Sequence, residues 1–244
     1  MDWHRRYLQQ AGWTCELRLY LFDRAGLAHA DKVLEVGCGT GAILGEISSR
    51  ASLHGLDLDA SALSQCRVHA STASLICGDA RDLPYPDEIF DIVYCHFLLL
   101  WIKDPLQALR EMKRVTRPGG HVLALAEPDY TARLDQPDEL AVLGQWQTAS
   151  LRQQGADPGC GARLAELFFQ AGIEINETGT IRAPEKIRMA AERESEWAVI
   201  EYDLAGFVTD KEIQKMKALD KQAWEGGERL LHIPTYFAWG RIQK

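Results

Sequence analysis

Short apolar runs and helical spacings alternate along residues 31–126 of the chain. Val33–Val36, Leu53–Leu56, Leu75–Cys77 and Phe90–Cys95 are compact, β-rich runs. Their length and composition predict strands buried between two layers. Residues 42–49 and 61–70 carry helical patterns between them, and Leu106, Leu109, Met112 and Val115 recur every third residue along another helix. Pro118-Gly119-Gly120 ends that helix ahead of a fifth strand, Val122–Ala126, because neither residue type continues it. Regular strand–helix alternation predicts a parallel sheet wrapped on both faces, with ligands at the carboxyl ends of its strands.

Beyond residue 128 the pattern changes. Pro137, beside Asp138 and Glu139, opens a helix to about Gln154, and a second helix near 162–171 ends at Gly172. Ile173, Ile175 and Ile181 mark a sixth strand. Helices are expected after Pro184 and after Thr209, where Thr209 and Glu212 have the spacing of a capping box. His232–Arg241 reads as a final strand. The helices at 1–27, 137–154 and 185–225 lie outside the alternating pattern, so they are expected to cover one end of the sheet as a cap. The chain thus divides into N-terminal cap helices (1–30), a ligand-binding core (31–128) and a C-terminal part (129–244) that completes the sheet and adds cap helices. No long linker separates these parts, so they read as a single structural domain.

Composition narrows the picture. A chain of 244 residues, 46% hydrophobic and 25% charged, buries roughly 70–75% of its unfolded surface and needs no disulfide or structural metal. The net charge of −8 gives no footprint for tight nucleic-acid binding. The longest strongly apolar run, Phe97–Ile102, is far short of the roughly 20 residues that span a bilayer. The charged start, Met1-Asp2-Trp3-His4-Arg5-Arg6, does not read as a secretory signal. Six cysteines without a C-x-x-C pair read as small buried hydrophobes in a reducing cytoplasm, and no metal ligand set stands out.

The informative chemistry lies in Val33-Leu34-Glu35-Val36-Gly37-Cys38-Gly39-Thr40-Gly41, a strand running into a glycine loop. Glycines at 37, 39 and 41 let the backbone turn sharply and approach a ligand without a Cβ in the way. Twenty residues on, Asp57 ends the second strand, where a carboxylate can accept ribose hydroxyls. Strand, glycine loop, helix, strand and terminal acid in this order point to a nucleotide-type cofactor. The loop is G-x-G-x-G, not G-x-G-x-x-G, and Glu35 would repel a pyrophosphate. A phosphate-free, sulfonium-bearing cofactor, S-adenosylmethionine, fits that acid better.

On these residues the chain resembles the class I S-adenosylmethionine-dependent methyltransferases, in particular the small-molecule branch typified by ubiquinone and menaquinone C-methyltransferases. Glu35–Gly41 is similar to the family's first motif. Gly78-Asp79-Ala80, Leu83-Pro84-Tyr85-Pro86-Asp87 and Phe90-Asp91-Ile92-Val93 resemble its central segment, and Arg117-Pro118-Gly119-Gly120 the turn before its fifth strand. The resemblance implies a Rossmann-like methyltransferase fold: a doubly wound, seven-stranded α/β sheet with its last strand antiparallel, under a helical cap. It implies that Glu35, Gly37, Cys38 and Gly39 hold the methionine end, Asp57 the ribose and Leu58 the adenine face. Asp79 and the Ala80 amide would read the adenine edge, with Cys95 at the end of the fourth strand beside the cofactor.

The acceptor side is less marked. The Asn- or Asp-Pro-Pro-aromatic tetrad of nucleic-acid and glutamine methylating enzymes is absent at Tyr94-Cys95-His96-Phe97. Leu100-Trp101 stands where the quinone enzymes often carry a His pair. His96 is the foremost catalytic candidate, as base or substrate anchor, because it follows the strand facing the methyl group and titrates near neutrality; packing under the cap is the alternative. Glu127, Asp129, Tyr130, His232 and Tyr236 are further polar candidates. Trp13, Tyr20, Trp146 and Trp197 either wall a pocket or fill the core. The expected activity is methyl transfer to an oxygen, nitrogen or carbon of a small molecule, without metal or nucleic acid. Alternatives are an RNA or protein methyltransferase, a non-catalytic cofactor-binding regulator and, more remotely, a nicotinamide oxidoreductase.

Overall fold

The computed structural model describes residues 2–181 and 190–243. The strands are β1 (Lys32–Val36), β2 (Ser52–Asp57), β3 (Ser74–Cys77), β4 (Phe90–Cys95), β5 (Thr116–Pro128), β6 (Leu134–Gln136), β7 (Glu174–Ile181), β8 (Leu230–His232) and β9 (Thr235–Arg241). The α-helices are α1 (Trp3–Trp13), α2 (Cys15–Arg24), α3 (Ala60–His69), α4 (Pro105–Val115), α5 (Ala141–Gln153), α6 (Leu164–Gln170), α7 (Ala190–Asp203) and α8 (Asp210–Glu225). Pro184, where the sequence pattern begins a helix, lies outside the described residues. No helix among the described residues is long and apolar enough to cross a membrane.

Seven strands form one sheet in the order β3-β2-β1-β4-β5-β9-β7. The β1, β2, β3, β4 and β5 pairings are parallel, and β9, the last strand, runs antiparallel to both β5 and β7. Side chains leave a strand on alternate faces, and the two faces bury different helices. On one, Leu34, Val36, Val93, Cys95 and Val122 meet Leu109 and Met112 of α4 and Leu164 and Phe168 of α6. On the other, Val33, Ile92, Tyr94, Leu123 and Trp239 meet Leu21 and Phe22 of α2 and Leu63 of α3. Each large apolar side chain so buried contributes on the order of 1.5–3 kcal/mol. The start of α4 shows why the helices begin where they do: Asp104 accepts the Gln107 amide at 3.0 Å, and Pro105 takes a position that needs no amide donor.

Several expectations are corrected. Residues 42–49 do not form an α-helix; only a 3-10 turn, Leu44–Glu46, appears. Gly45 in mid-segment favours no helix, and its Cα packs so close to α3 that a Cβ would come within 2.6 Å of the His69 carbonyl. The N-terminal segment 1–30 also divides. Its second helix, α2, packs on the sheet through Leu21 and Phe22, and only α1 reaches over the strand ends. The final strand is interrupted: Ile233-Pro234 separates β8 from β9, and β8 pairs with β6 in a small antiparallel ribbon.

The C-terminal helices have a core of their own, in which Leu140, Leu143, Trp197, Ile200, Ile213 and Met216 join α5, α7 and α8. A buried ionic network backs it. Arg133 and Arg229 share the Asp135 carboxylate at 2.7 Å each, and Asp220 accepts from Arg229 at 2.6 Å, Arg193 at 2.8 Å and the Trp197 indole at 2.7 Å. The Thr209–Glu212 capping box at the start of α8 is present.

Candidate active site

The strand order reverses between β1 and β4, which opens a crevice at their carboxyl ends. A cavity of about 520 Å³ occupies it, within the size range of small-molecule sites. Its floor is the glycine loop. Gly37, Gly39 and Gly41 sit at φ of +75°, +49° and +81°, the left-handed region that only glycine enters without cost. A Cβ on Gly37 would lie 2.6 Å from Leu98 Cδ1, so the cradle has no room for a side chain. The loop is pinned from β2: one Asp57 oxygen accepts the Gly39 amide at 2.7 Å, the other the Asp59 amide at 2.9 Å. A carboxylate has about four acceptor positions, so Asp57 keeps capacity for further donors.

Glu35 lies below the loop, buried yet lining the cavity. It accepts the Tyr94 hydroxyl at 3.0 Å, but burial pushes its carboxyl up to about 8. Among the described residues no Lys or Arg forms a salt bridge with Glu35, and the Arg18 charge offsets its burial only in part.

The turn after β4 forms one wall. Phe97, a non-glycine residue at φ +52°, is held there by its amide bond to Ala126 O at 2.8 Å. Glu127 accepts the Leu98 and Leu100 amides at 3.0 and 3.3 Å. Strain of this kind persists only where neighbours over-determine it. Burial pushes the Glu127 carboxyl up to about 7. Its oxygens are committed to the loop, and it is absent from the cavity lining. His96 is half-buried and lines the cavity, with Nε2 3.0 Å from Thr14 Oγ1. Desolvation, assisted by the Arg18 charge, lowers it to about 3, so it is a neutral imidazole at physiological pH.

Of the residues expected to hold the cofactor, Glu35, Gly37, Cys38, Gly39 and Asp57 converge on the cavity, whereas Leu58, Asp79, Ala80 and Cys95 do not line it. Leu58, which follows Asp57, is exposed. Asp79 is paired with Arg81 at 2.6 Å, which holds its carboxyl below the usual carboxylate range. The Ala80 and Cys95 side chains are buried in the core, Cys95 at the carboxyl end of β4. Among the further polar candidates, only Tyr130 lines the cavity. Asp129 caps the following turn by accepting the Thr131 amide at 2.9 Å, and His232 belongs to the β6–β8 ribbon.

The expected cap is present in α1 and α7, but the side chains it brings to the cavity are not those singled out from the sequence. Trp3, Arg6, Tyr7 and Gln10 descend from one face of α1, and Val199, Tyr202 and Asp203 from α7. The aromatics singled out from the sequence lie elsewhere. Trp197 is buried against Asp220, Trp146 packs on the cap core, Trp13 stacks under Arg6 at 4.8 Å, and Tyr20 donates to Glu177 at 2.9 Å. The 3, 6, 7, 10 spacing on α1 was the available signal, since those positions share one helix face.

Residues 34–124 match a family model described as a methyltransferase domain. The demethylmenaquinone methyltransferase of Lysinibacillus sphaericus (strain C3-41) is 31% identical over 184 residues, 67% of this chain and 76% of that protein. The chain belongs to the class I S-adenosylmethionine-dependent methyltransferases. A malonyl-[acyl-carrier protein] O-methyltransferase of Halorhodospira halophila is 37% identical over 39% of this chain and 34% of its own. The chain spans between about a third and about half the length of the first curated relatives it matches. In fold it is similar to a Haemonchus contortus phosphoethanolamine N-methyltransferase in complex with S-adenosyl-L-methionine, with a TM-score of 0.62 at 19% identity over 94% of this chain and 53% of that one.

The cavity fits the cofactor of this methyltransferase family. The side-chain-free cradle at Gly37 and Gly39 admits close backbone approach. The buried acid Glu35 matches a ligand bearing positive charge, and Asp57 has acceptor capacity for hydroxyls.

Proposed function

We propose that the protein transfers the methyl group of S-adenosylmethionine to a small-molecule acceptor held beneath α1 and α7. The observation that supports this reading is the continuity of one cavity from the glycine loop to the roof: Gly37, Glu35 and Asp57 share it with Tyr7, Tyr130 and Tyr202. When bound, S-adenosylmethionine supplies a methyl carbon already activated for displacement. The chain's work is then to position and desolvate. Glu35 and the glycine loop hold the methionine end and Asp57 the ribose, while Leu58, Asp79 and the Ala80 amide meet the adenine at the open rim and Cys95 backs the site. Leu98 and Leu100 exclude water from the reacting face.

His96 serves in this reading as a substrate-facing hydrogen-bonding group fixed by Thr14. A nitrogen lowered to about 3 is a weak proton acceptor at neutral pH, so a strong base role is disfavoured. Among the described residues Arg6 is the one Lys or Arg lining the cavity, and it is paired with Glu196 at 3.0 Å. The described lining thus offers a polyanion little positive charge, which supports a metabolite over RNA.

The test is twofold. S-adenosylhomocysteine and S-adenosylmethionine are expected to raise Tm while NAD does not, and incubation with a metabolite extract is expected to yield S-adenosylhomocysteine. Stabilisation by NAD alone would overturn the cofactor reading. Methylation of bulk RNA with none of the metabolite extract would overturn the acceptor class.

A further inference from the structure

The roof of the cavity contains a charge whose partner is missing among the described residues. Asp203, the last residue of α7, is 7% exposed and lines the cavity. Its Oδ2 accepts the Gln147 amide at 2.6 Å, and no side chain among the described residues donates to its other oxygen. The neighbouring cations are already engaged. Arg6 is paired through one terminal nitrogen with Glu196 at 3.0 Å, its Nε without a partner among the described residues, and Arg133 is paired with Asp135 at 2.7 Å. Burial raises the Asp203 carboxyl to about 6 in spite of both guanidinium groups, with Glu196 opposing them. A buried acid without a cation is destabilising unless something completes it.

The surroundings describe what would complete it. Tyr202, adjacent on α7, meets Trp3 edge to face at 5.0 Å, and Trp3 lies 5.8 Å from Tyr7. All three rings line the same cavity as Asp203. Aromatic faces beside a carboxylate favour a cation, because the ring quadrupole and the acid attract the same charge.

We propose that the acceptor is an amine, bound as its ammonium ion between Asp203 and the aromatic faces of Trp3, Tyr7 and Tyr202. This rests on the reading of the cavity as a methyltransferase site and specifies the acceptor's class. The ammonium is an anchor: it orients the acceptor and leaves open which of its atoms faces the methyl group. Gln147 holds the Asp203 carboxylate towards the cavity from behind, itself fixed by Arg133.

The experiment measures binding, not turnover. Phenethylamine, phenethyl alcohol and 3-phenylpropionate, matched in ring and length, are titrated into the protein saturated with S-adenosylhomocysteine at about pH 7.5, where Asp203 is ionised. The amine is expected to bind at least ten-fold tighter than the alcohol, with the acid weakest, and D203N is expected to lower amine affinity ten- to a hundred-fold while S-adenosylhomocysteine affinity is kept. Y202L, at an exposed helical position, provides the second variant if D203N fails to fold. It is expected to weaken the amine several-fold and leave the alcohol unchanged. Equal binding of amine and alcohol, or D203N or Y202L binding the amine as wild type does, overturns the inference. Loss of S-adenosylhomocysteine binding by the wild-type protein would instead overturn the cofactor reading, so the two failures are distinct.

Discussion

Replacing His96 by Gln tests how the cap grips the end of β4. The imidazole is lowered from 6.5 to about 3, so between those values the unfolded chain takes up a proton that the native protein refuses. Stability contributed by the neutral imidazole is therefore complete above 6.5 and is lost as pH falls towards 3. At about pH 5 the loss relative to pH 7.5 is 1.36 × (6.5 − 5), or about 2 kcal/mol. Glutamine places an amide near the Nε2 position, retains a partner for Thr14 Oγ1 and cannot titrate. Glu35 and Glu127, which also shift, are common to both proteins and drop out of the difference. Urea unfolding of wild type and H96Q from pH 8 to 5 reads the effect directly. With m of about 2–3 kcal/mol/M, the wild-type midpoint is expected to fall by roughly 0.7–1 M more than that of H96Q. Parallel midpoints would refute the reasoning, because His96 would then be titrating as a solvated histidine. A kcat profile whose acid limb near 6.5 vanishes in H96Q would refute it from the other side, by showing the imidazole at work as a base of ordinary strength.

Other substitutions probe the floor and the cap. G37A, forced to φ +75° and within 2.6 Å of Leu98 Cδ1, is expected to cost about 2–4 kcal/mol in stability from strain and overpacking and to weaken S-adenosylhomocysteine binding; an unchanged Tm and Kd would contradict the cradle. D57A removes the acceptor of the Gly39 amide, and the stabilisation of about 2.7 kcal/mol expected at a hundred times the wild-type Kd should largely disappear in a thermal-shift titration at the same ligand concentration. D135A strips the shared partner from two buried guanidinium groups and is expected to cost about 3–5 kcal/mol, whereas T209A, losing only the α8 cap, should cost about 1 kcal/mol; equilibrium unfolding that ranks them the other way would show the network to be solvated.

The parts of the molecule read correctly from sequence are those whose signal is local. Val33–Val36 and Phe90–Cys95 are apolar without interruption because helices cover both faces of their strands, and the glycine loop and Asp57 follow at fixed spacing. Where the signal was read wrongly, a tertiary contact had overridden it. The spacing around Ile43 and Ile47 is helical, but Gly45 is pressed against the end of α3, and the chain makes one tight turn instead. β6 is only Leu134–Gln136, too short to show a period, and it exists because β8 pairs with it.

The cap was legible as helices but its lining was not, because those residues acquire a role only by meeting one another across nearly the whole chain. Arg6 reaches Glu196 at 3.0 Å, Ser195 donates to Gln9 at 2.5 Å, and Trp3 meets Tyr202 at 5.0 Å. These contacts tie α1 to α7 as one unit. The unit meets the cofactor side through Tyr7, whose ring lies where a Cβ on Gly39 would come within 3.3 Å, and through His4, whose Nδ1 is 2.8 Å from Thr40 Oγ1. The glycine loop and the roof therefore face each other across one cavity, held in register by these contacts. In sequence, Trp3 and Tyr202 are simply aromatic residues on polar helices. Hydrophobic periodicity identifies the face a helix buries in a core, and these two helices turn theirs towards a cavity.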